Sequence, residues 1–423
     1  MKRFLSLIWA LLFILCVPVN AYADEPAVTM RQSGSVNAQP PVAGEGEQAA
    51  AVPVISQPDT PACTSALLAE VTTGKVLYEH NADQQLYPAS VTKIMTMLLV
   101  AEAIDSGKTA LEDTVTASDN ACSKGGSQIW LEQGETMTVR ELLLATAVGS
   151  ANDAATALGE HIAGSEAGFV DMMNERAHEL GMTNTNFDNA TGLDDTSQTH
   201  LSTARDIAVM SCELMKHSFI EEFTTVWMDS LRGGETQLVN TNKLVRFYPG
   251  TTGIKTGTTS KAGNCVSASA RRDSLHLVAV IMGSSDSTVR FESAKALLNW
   301  GFSNYTMLTP APQLNELEPV KVEYGELNAV TAVMGDTSPV LIEKSLKDSV
   351  TYEIEPLQSV QAPVEKGAPL GTIRLVCGGK TVASIELVSP VAIRKMTAGM
   401  AVKRLVEYMA GKRVWTVGGS EAE

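Results

Sequence analysis

The sequence predicts a mixed α/β fold in which helices flank an antiparallel sheet, followed by a small all-β domain and a C-terminal amphipathic helix. Three observations lead to this prediction. Strand-like segments lie at both ends of residues 61–304, a mostly helical region lies between them, and short strand patterns begin after about residue 305. The 423 residues, of which 44% are hydrophobic, are enough to build two buried cores.

Residues 1–23 have the features of a secretory signal peptide. Two basic residues precede an apolar run over residues 4–19, and the small residues of Ala-Tyr-Ala at 21–23 suit cleavage. An uncleaved anchor helix and a lipid on Cys16 are the alternatives. The apolar run is short for a membrane span, and Leu15 is bulky where lipidation requires a small residue. We therefore expect secretion across the cytoplasmic membrane to its extracellular face.

The next segment, residues 24–60, is rich in Ala, Pro, Gln, Gly and Glu and has no regular hydrophobic period. This composition favours a flexible spacer between the cleavage point and the folded part of the chain.

In the domain predicted over residues 61–304, alternating hydrophobicity indicates strands and a 3.6-residue period indicates helices. The turn Thr72-Thr73-Gly74-Lys75 joins the first two strands, and Pro88-Ala89 precedes the first helix. The predicted elements are strands over 65–71 and 76–79, helices over 90–103, 139–148 and 169–180, strands over 264–270 and 275–281, and a helix over 289–300.

A small β-rich domain is predicted over residues 305–390, where short strand patterns are separated by Gly, Pro and Asp. It contains no candidate catalytic motif. The predicted strands lie at 320–324, 329–334, 350–354, 372–376 and 382–387.

The tail over residues 391–423 is basic and amphipathic. Between Arg394 and Arg413, six basic residues accompany one acidic residue, and Trp415 follows. Such a helix can lie in an anionic membrane surface, with the tryptophan at the interface. The alternative is a helix packed on the preceding domain. Apolar residues recur at helical spacing on one face, namely Ala398, Val402, Leu405 and Met409.

The charge of the whole chain argues against a nucleic-acid partner. The 32 basic residues are outnumbered by 48 acidic ones, a net charge of −16, whereas nucleic-acid binders usually present a basic face. The six cysteines are widely spaced, so we expect small buried hydrophobes rather than disulfides. His178-Glu179 begins like a zinc-binding helix but lacks the second histidine, and we expect no metal and no other cofactor.

The first candidate catalytic motif is Ser90-Val91-Thr92-Lys93. Residues i and i+3 of a helix share a face, so Lys93 can touch the Ser90 hydroxyl. A desolvated lysine near other cations has a lowered pKa and can act as a base toward that serine. An isolated Ser-x-x-Lys arises by chance about once in a chain of this length, and a helix-capping serine with a solvated lysine is the alternative.

Two further segments carry polar side chains suited to the same chemistry. Ser150 and Asn152 follow the predicted helix over 139–148, and the serine can relay a proton while the amide holds a substrate carbonyl or the lysine. Lys255-Thr256-Gly257-Thr258-Thr259 offers a cation, hydroxyls and a glycine that lets the backbone approach a substrate. An ordinary loop-to-strand transition is the alternative for this segment.

Together, in this order and spacing, the three segments resemble the S-x-x-K, S-x-N and K-T-G motifs of penicillin-binding proteins and serine β-lactamases. Over about residues 60–390, and in its tail, the chain looks like the low-molecular-mass D-alanyl-D-alanine carboxypeptidases. Ala151 stands where glycine is common in this subfamily, and it keeps that position small. The resemblance also rests on Pro88–Thr96, Asn189-Ala190-Thr191-Gly192-Leu193 and Lys255–Gly263.

The resemblance implies a serine peptidase that removes the terminal D-alanine from peptidoglycan stem pentapeptides and is acylated by β-lactams. Ser90 would attack the penultimate D-alanine carbonyl, Lys93 would take its proton, and Ser150 would pass a proton toward the leaving D-alanine. The Ser90 and Thr258 N–H groups would form the oxyanion hole. Arg290 would face the substrate carboxylate, with a helix-start salt bridge as the alternative. The implied substrate-binding residues are Asn152, Lys255, Thr256, Gly257, Thr258 and Arg290.

The sequence leaves two alternatives to a carboxypeptidase. A class A-type β-lactamase needs a glutamate-held deacylating water, and no matching Glu-x-x-x-Asn sequence lies in the right interval. A non-catalytic cell-wall module is the second, and the full set of motifs argues against it. The motifs do not distinguish a carboxypeptidase from an endopeptidase.

Overall fold

The computed structural model describes residues 56–195, 197–336, 338–411 and 417–418. The predicted signal peptide and most of the predicted spacer lie outside the described residues. The same holds for Lys412, Arg413 and Trp415 of the predicted tail.

The elements up to residue 304 follow the predicted order of strands, helices and strands. In chain order they are β1 (Ser65–Glu70), β2 (Val76–His80), α1 (Lys93–Asp105), β3 (Thr114–Thr116), α2 (Asp119–Cys122), β4 (Thr136–Thr138), α3 (Val139–Leu144), α4 (Asn152–Ala163), α5 (Glu166–Glu179), α6 (Ala204–Leu214), α7 (Glu221–Thr224), β5 (Met228–Leu231), β6 (Thr236–Val239), α8 (Leu244–Phe247), β7 (Thr251–Thr259), β8 (Gly263–Arg272), β9 (Leu275–Ser284) and α9 (Ser287–Asn304).

Five strands form one antiparallel sheet in the order β2-β1-β9-β8-β7. Because successive side chains of a strand point to opposite faces, neighbouring residues of β1 enter different cores. Leu67 packs on the face covered by α6, whereas Leu68 packs on the face covered by α9. The predicted mixed α/β fold, with an antiparallel sheet flanked by helices, is confirmed.

The chain enters α1 through a 3-10 turn over Ala89–Thr92, so Ser90 precedes the α-helix that was predicted to contain it. Ala89 has a left-handed backbone with φ of 49°, which an α-helical residue does not adopt. In a 3-10 turn the side chains at i and i+3 eclipse each other, which suits a contact between Ser90 and Lys93. Lys93 is the first residue of α1, and residues 93–101 are all buried.

The helix predicted over 139–148 changes character before it ends. The α-helical part, α3, stops at Leu144, and a π-type turn over Ala145–Gly149 leads into Ser150. Ser150 has a left-handed backbone with φ of 60° and ψ of 28°. Turns of this type and left-handed residues other than glycine are strained, and they occur often at functional sites.

After α9 the chain forms an all-β domain, as predicted. Its two four-stranded sheets enclose a core that includes Val322, Ile373 and Leu387. Three strand pairs in the described residues were not predicted, because strands of three or four residues show too little alternation. They lie at 114–116 with 136–138, at 228–231 with 236–239 and at 305–308 with 340–343. The elements are β10 (Tyr305–Leu308), β11 (Val320–Glu323), β12 (Ala329–Val330), β13 (Val333–Met334), β14 (Val340–Glu343), β15 (Thr351–Pro356), β16 (Ser359–Gln361), β17 (Pro369–Cys377), β18 (Lys380–Val388), α10 (Ala398–Met409) and β19 (Val417–Gly418).

The helix of the tail, α10, turns its apolar residues away from the β domain. Val402, Leu405 and Met409 are 61%, 59% and 78% exposed. Arg404 lies on the opposite side and donates to the Glu326 carbonyl oxygen of the β domain. In the part of the chain that the structure describes, no helix has the length and apolar character of a membrane span.

Candidate active site

Three of the predicted site residues meet at the start of α1. Lys93 Nζ lies 3.0 Å from Ser90 Oγ and donates to Asn152 Oδ1 at 2.5 Å and to the Thr191 carbonyl oxygen at 2.9 Å. The lysine is fully buried and Ser90 is half-buried. The Lys93 amino group is therefore held by two oxygen acceptors while it faces the serine hydroxyl.

The surroundings of Lys93 favour its neutral form. Burial lowers the pKa of Lys93 well below its usual value, the charge of Lys255 lowers it further, and Asp153 opposes the shift. A neutral amine can accept a proton, so the site combines a serine with a base in hydrogen-bond contact.

Ser150 and Asn152 stand between the π-type turn and α4. Both side chains are almost fully buried, at 4% and 2% exposure. Asn152 Nδ2 donates to the Gly125 carbonyl oxygen at 2.6 Å, which fixes the orientation of its amide and directs Oδ1 to Lys93. Asn152 therefore joins the lysine to the segment that begins at Gly125.

Lys255 lies on β7, with its side chain 1% exposed and its Nζ donating to the Thr256 carbonyl oxygen at 3.0 Å. Burial, together with the charge of Arg290, lowers its pKa to about 7. Its charge lowers the pKa of Lys93, and Gly257, two residues further along β7, packs against the Ser90 turn.

Two glycines allow the Ser90 turn to contact its neighbours through backbone alone. A Cβ atom on Gly257 would lie 3.0 Å from the Ser90 nitrogen, and one on Gly192 would lie 1.8 Å from the Ala89 carbonyl oxygen. Gly192 also has φ of 86°, which favours glycine. β7 and the segment around Gly192 thus enclose the turn from two sides.

Arg290 on α9 reaches the same edge of the sheet. Its Nη1 donates to the Gly257 carbonyl oxygen at 3.0 Å, to Thr258 Oγ1 at 2.9 Å and to the Cys265 carbonyl oxygen at 3.2 Å. Its side chain is 7% exposed, and no acidic residue pairs with it among the described residues. The helix-start salt bridge considered as its alternative role is therefore not observed in that part of the chain.

The two threonines of the third motif have different environments. Thr258 is exposed, and its hydroxyl receives the Arg290 hydrogen bond and donates to Asn264 Oδ1 at 3.3 Å. Thr256 is buried and donates to Thr241 Oγ1 at 2.7 Å. Of the two, Thr258 presents the more accessible hydroxyl.

Two residues contribute to the site although no role was predicted for them from the sequence. Thr191 contributes a backbone carbonyl, which leaves no mark on residue type. The Asp153 carboxylate, 1% exposed, accepts hydrogen bonds from the Ile129 and Leu131 N–H groups, each at 3.1 Å. Asp153 thereby holds the segment that carries the Gly125 carbonyl. Its position directly after Asn152 is the one sequence feature that could have identified it.

Cysteines and metal ligands do not form a second centre in the described residues. Five cysteines there are free thiols, and no group of His, Cys, Asp and Glu in that part is arranged to hold a metal ion. The thiols at positions 212, 265 and 377 are buried.

Comparison with known proteins gives two family matches. Residues 52–286 match the D-alanyl-D-alanine carboxypeptidase family, and residues 305–395 match the family described as penicillin-binding protein 5, C-terminal domain. The carboxypeptidase DacF of Bacillus subtilis is 42% identical over 335 residues, which cover 78% of this chain and 85% of DacF.

Solved structures agree with these matches. Penicillin-binding protein 5 from Haemophilus influenzae is 30% identical with a TM-score of 0.71, covering 80% of this chain and all of that one. Penicillin-binding protein D2 from Listeria monocytogenes, solved in an ampicillin-bound form, is 31% identical with a TM-score of 0.53, covering 57% of this chain and 98% of that one. The predicted resemblance is confirmed, and the chain belongs to the D-alanyl-D-alanine carboxypeptidase family of serine peptidases, the low-molecular-mass penicillin-binding proteins.

Proposed function

We propose that this enzyme removes the terminal D-alanine from peptidoglycan stem pentapeptides through an acyl-enzyme on Ser90. The observation that carries the proposal is the contact between Ser90 Oγ and Lys93 Nζ at 3.0 Å, made by a lysine whose pKa burial lowers well below its usual value. A serine with a neutral amine at hydrogen-bond distance is an activated nucleophile.

In the proposed reaction, Ser90 Oγ attacks the carbonyl carbon of the penultimate D-alanine while Lys93 accepts the hydroxyl proton. The tetrahedral oxyanion lies between the N–H groups of Ser90 and Thr258. The close approach of Gly257 to the Ser90 nitrogen supports this assignment, because it brings both donors to one edge of β7. Ser150 passes a proton to the leaving amine of D-alanine, and water then hydrolyses the ester.

The other predicted residues bind the substrate. Asn152 holds the peptide through its amide, and Thr258 with Thr256 holds the terminal carboxylate, with Lys255 supplying positive charge. Arg290 orients the Thr258 hydroxyl from behind, which its 2.9 Å hydrogen bond supports. A groove of about 890 Å³, bordered by Thr191 and Leu193 and reaching α5, offers room for the rest of the stem peptide.

Incubation with benzylpenicillin and with a set of muropeptides tests this function. We expect a lasting penicillin adduct on Ser90 and release of D-alanine from pentapeptides. Rapid penicillin turnover would instead indicate a β-lactamase, and absence of any adduct would indicate a non-catalytic cell-wall module. Cleavage of cross-linked muropeptides without D-alanine release would indicate an endopeptidase.

We further propose a division into a signal peptide (1–23), a spacer (24–60), a catalytic domain (61–304), a β domain (305–390) and a tail (391–423). A secreted enzyme of this kind meets its wall substrate outside the cytoplasmic membrane. The exposed apolar residues of α10, beside basic Lys403, support attachment of the tail to the surface of an anionic membrane.

A further inference from the structure

His200 is a fully buried histidine whose ring lies between the Ser90 turn and a neighbouring loop. Its Nε2 is 2.8 Å from Thr92 Oγ1, and its Nδ1 accepts a hydrogen bond from the Asp188 N–H at 3.0 Å. The ring also packs edge-on against Phe187, with 5.7 Å between ring centroids. Thr92 directly precedes Lys93, so the histidine touches the turn one residue from the proposed base.

The two hydrogen bonds determine the tautomer of His200. A backbone N–H can only donate, so Nδ1 carries no proton and Nε2–H donates to Thr92. Burial, with a smaller contribution from the charge of Lys93, lowers the pKa of His200 to about 4, although Asp188 and Asp194 oppose the shift. The ring therefore stays neutral at neutral pH, and both hydrogen bonds persist.

The loop that ends at His200, residues 188–195 and 197–200, contacts α1 at two successive positions. The Ala190 carbonyl oxygen accepts from Thr96 Oγ1 at 2.7 Å, and the Thr191 carbonyl oxygen accepts from Lys93 Nζ at 2.9 Å. The loop also reaches β7, where Asp194 Oδ2 accepts from Thr259 Oγ1 at 2.6 Å. The loop therefore joins the turn that carries Ser90 to β7, the strand that carries Lys255-Thr256-Gly257.

We propose that His200 is a positioning residue of the acylation reaction. It sets the separation between the Ser90–Lys93 turn and this loop through one hydrogen bond that Nε2 donates and one that Nδ1 accepts. This inference rests on the proposed function. Without the ring, the Thr92 hydroxyl and the Asp188 N–H lose their partners. The loop then moves relative to α1, the Thr191 acceptor leaves Lys93, and water enters beside the lysine.

The test measures the rate of Ser90 acylation by benzylpenicillin from pH 5 to 10, together with the melting temperature. Three variants separate the contacts. His200→Ala removes both hydrogen bonds, His200→Asn keeps an acceptor near the Nδ1 position, and His200→Gln keeps a donor near the Nε2 position.

His276→Ala is the matched control. This histidine is also buried, at 5% exposure, and its ring nitrogens lie 2.9 Å from Thr252 Oγ1 and 3.2 Å from Arg271 Nη2. It lies near the start of β9, whereas the third motif pairs with the first residues of β8, which in turn lie opposite the end of β9. Because His276 does not contact residues 188–200, its replacement measures the general effect of removing a buried histidine.

We expect His200→Ala to slow acylation by about tenfold to a hundredfold, as small displacements of catalytic groups do. The acylation profile should also shift to higher pH, because water beside Lys93 raises its pKa. His200→Asn and His200→Gln should lie between His200→Ala and wild type, and His276→Ala should acylate like wild type. Equal acylation rates and pH profiles in the His200 and His276 variants would overturn the proposal.

Acylation of the wild-type enzyme shows whether a negative result concerns the role of His200 or the proposed function. If the wild-type enzyme forms no Ser90 adduct, the function itself is wrong, whatever the His200 variants do. If His200→Ala does not fold, the Asn and Gln variants still decide the question: wild-type acylation rates and pH profiles in both would contradict a positioning role.

Discussion

Gly257 of β7 lies directly against the backbone of Ser90. A Cβ atom at position 257 would be 3.0 Å from the Ser90 nitrogen and 2.8 Å from the Pro88 carbonyl oxygen. Strand and turn therefore touch through backbone atoms, which only glycine allows without displacement. Thr258 follows on the same strand, so this contact also sets the separation of the two N–H groups proposed for the oxyanion hole.

Gly257→Ala should therefore slow Ser90 acylation by about a hundredfold, since loss of one oxyanion donor typically has an effect of 10² to 10³. Timed quenching with benzylpenicillin, followed by mass spectrometry, measures the rate. Gly399→Ala is a suitable control, because the added methyl group would meet no described atom within 4 Å apart from neighbouring residues of its own helix. Acylation of Gly257→Ala at the control rate would argue against this use of the contact.

Ser90→Ala and Lys93→Ala should each abolish D-alanine release, and the double variant should be no worse than either. The serine and the lysine act on one proton, so their effects do not add. Each single variant should lose at least about 10⁴-fold in kcat/KM for a pentapeptide substrate. Circular dichroism checks that the fold persists. Substantial release by either variant would contradict the assigned roles.

The Ser-x-x-K and K-T-G motifs could be predicted because their chemistry resides in side chains at fixed spacing. The contribution of the Thr191 carbonyl could not be read from residue type, because every residue has a carbonyl. For the same reason, the oxyanion role proposed for the Ser90 and Thr258 N–H groups follows from the resemblance and not from residue type. Arg290, which the resemblance predicts to face the substrate carboxylate, contacts the Thr258 hydroxyl and two carbonyl oxygens in this structure.

Long-range contacts explain why local structure near the site escaped prediction. The sequence after Pro88 favours an α-helix, but residues 89–92 form a 3-10 turn. This turn packs closely against Gly192 and Gly257, which are distant in the sequence. Similarly, the apolar spacing of α10 was visible in the sequence. Its outward orientation was not, because this depends on a contact between Arg404 and Glu326, 78 residues apart in the chain.

The lowered pKa of Lys255 predicts a pH-dependent stability. The pKa falls from 10.5 in the unfolded chain to about 7, so between these values the unfolded state binds more protons and stability rises with pH. Lys93 acts in the same direction. Burial raises the pKa of all five thiols in the described residues, most strongly for Cys63, Cys212 and Cys265, and these thiols oppose the trend above pH 9.

The comparison of wild type with Lys255→Met isolates the contribution of this lysine. From pH 7.5 to 9, the free energy of unfolding of wild type should rise more steeply than that of the variant, by about 1 kcal/mol per pH unit. Urea denaturation at three pH values measures both slopes. Equal slopes would mean that Lys255 keeps its ordinary pKa in the folded protein.

The exposed apolar face of α10 predicts that the tail binds to anionic membranes. If Val402 and Leu405 enter a membrane surface, replacing both with serine should weaken binding to anionic phosphatidylglycerol vesicles by about a hundredfold, since burial of each such side chain contributes about 1.5–3 kcal/mol. The pair Val382→Ser and Leu357→Ser is a matched control, because these residues are also exposed, at 39% and 46%, but lie on the β domain. Cosedimentation of the full chain with vesicles measures binding. Equal binding by both double variants would show that α10 is not the attachment site, whereas loss confined to the α10 variant, with D-alanine release unchanged, would separate membrane attachment from catalysis.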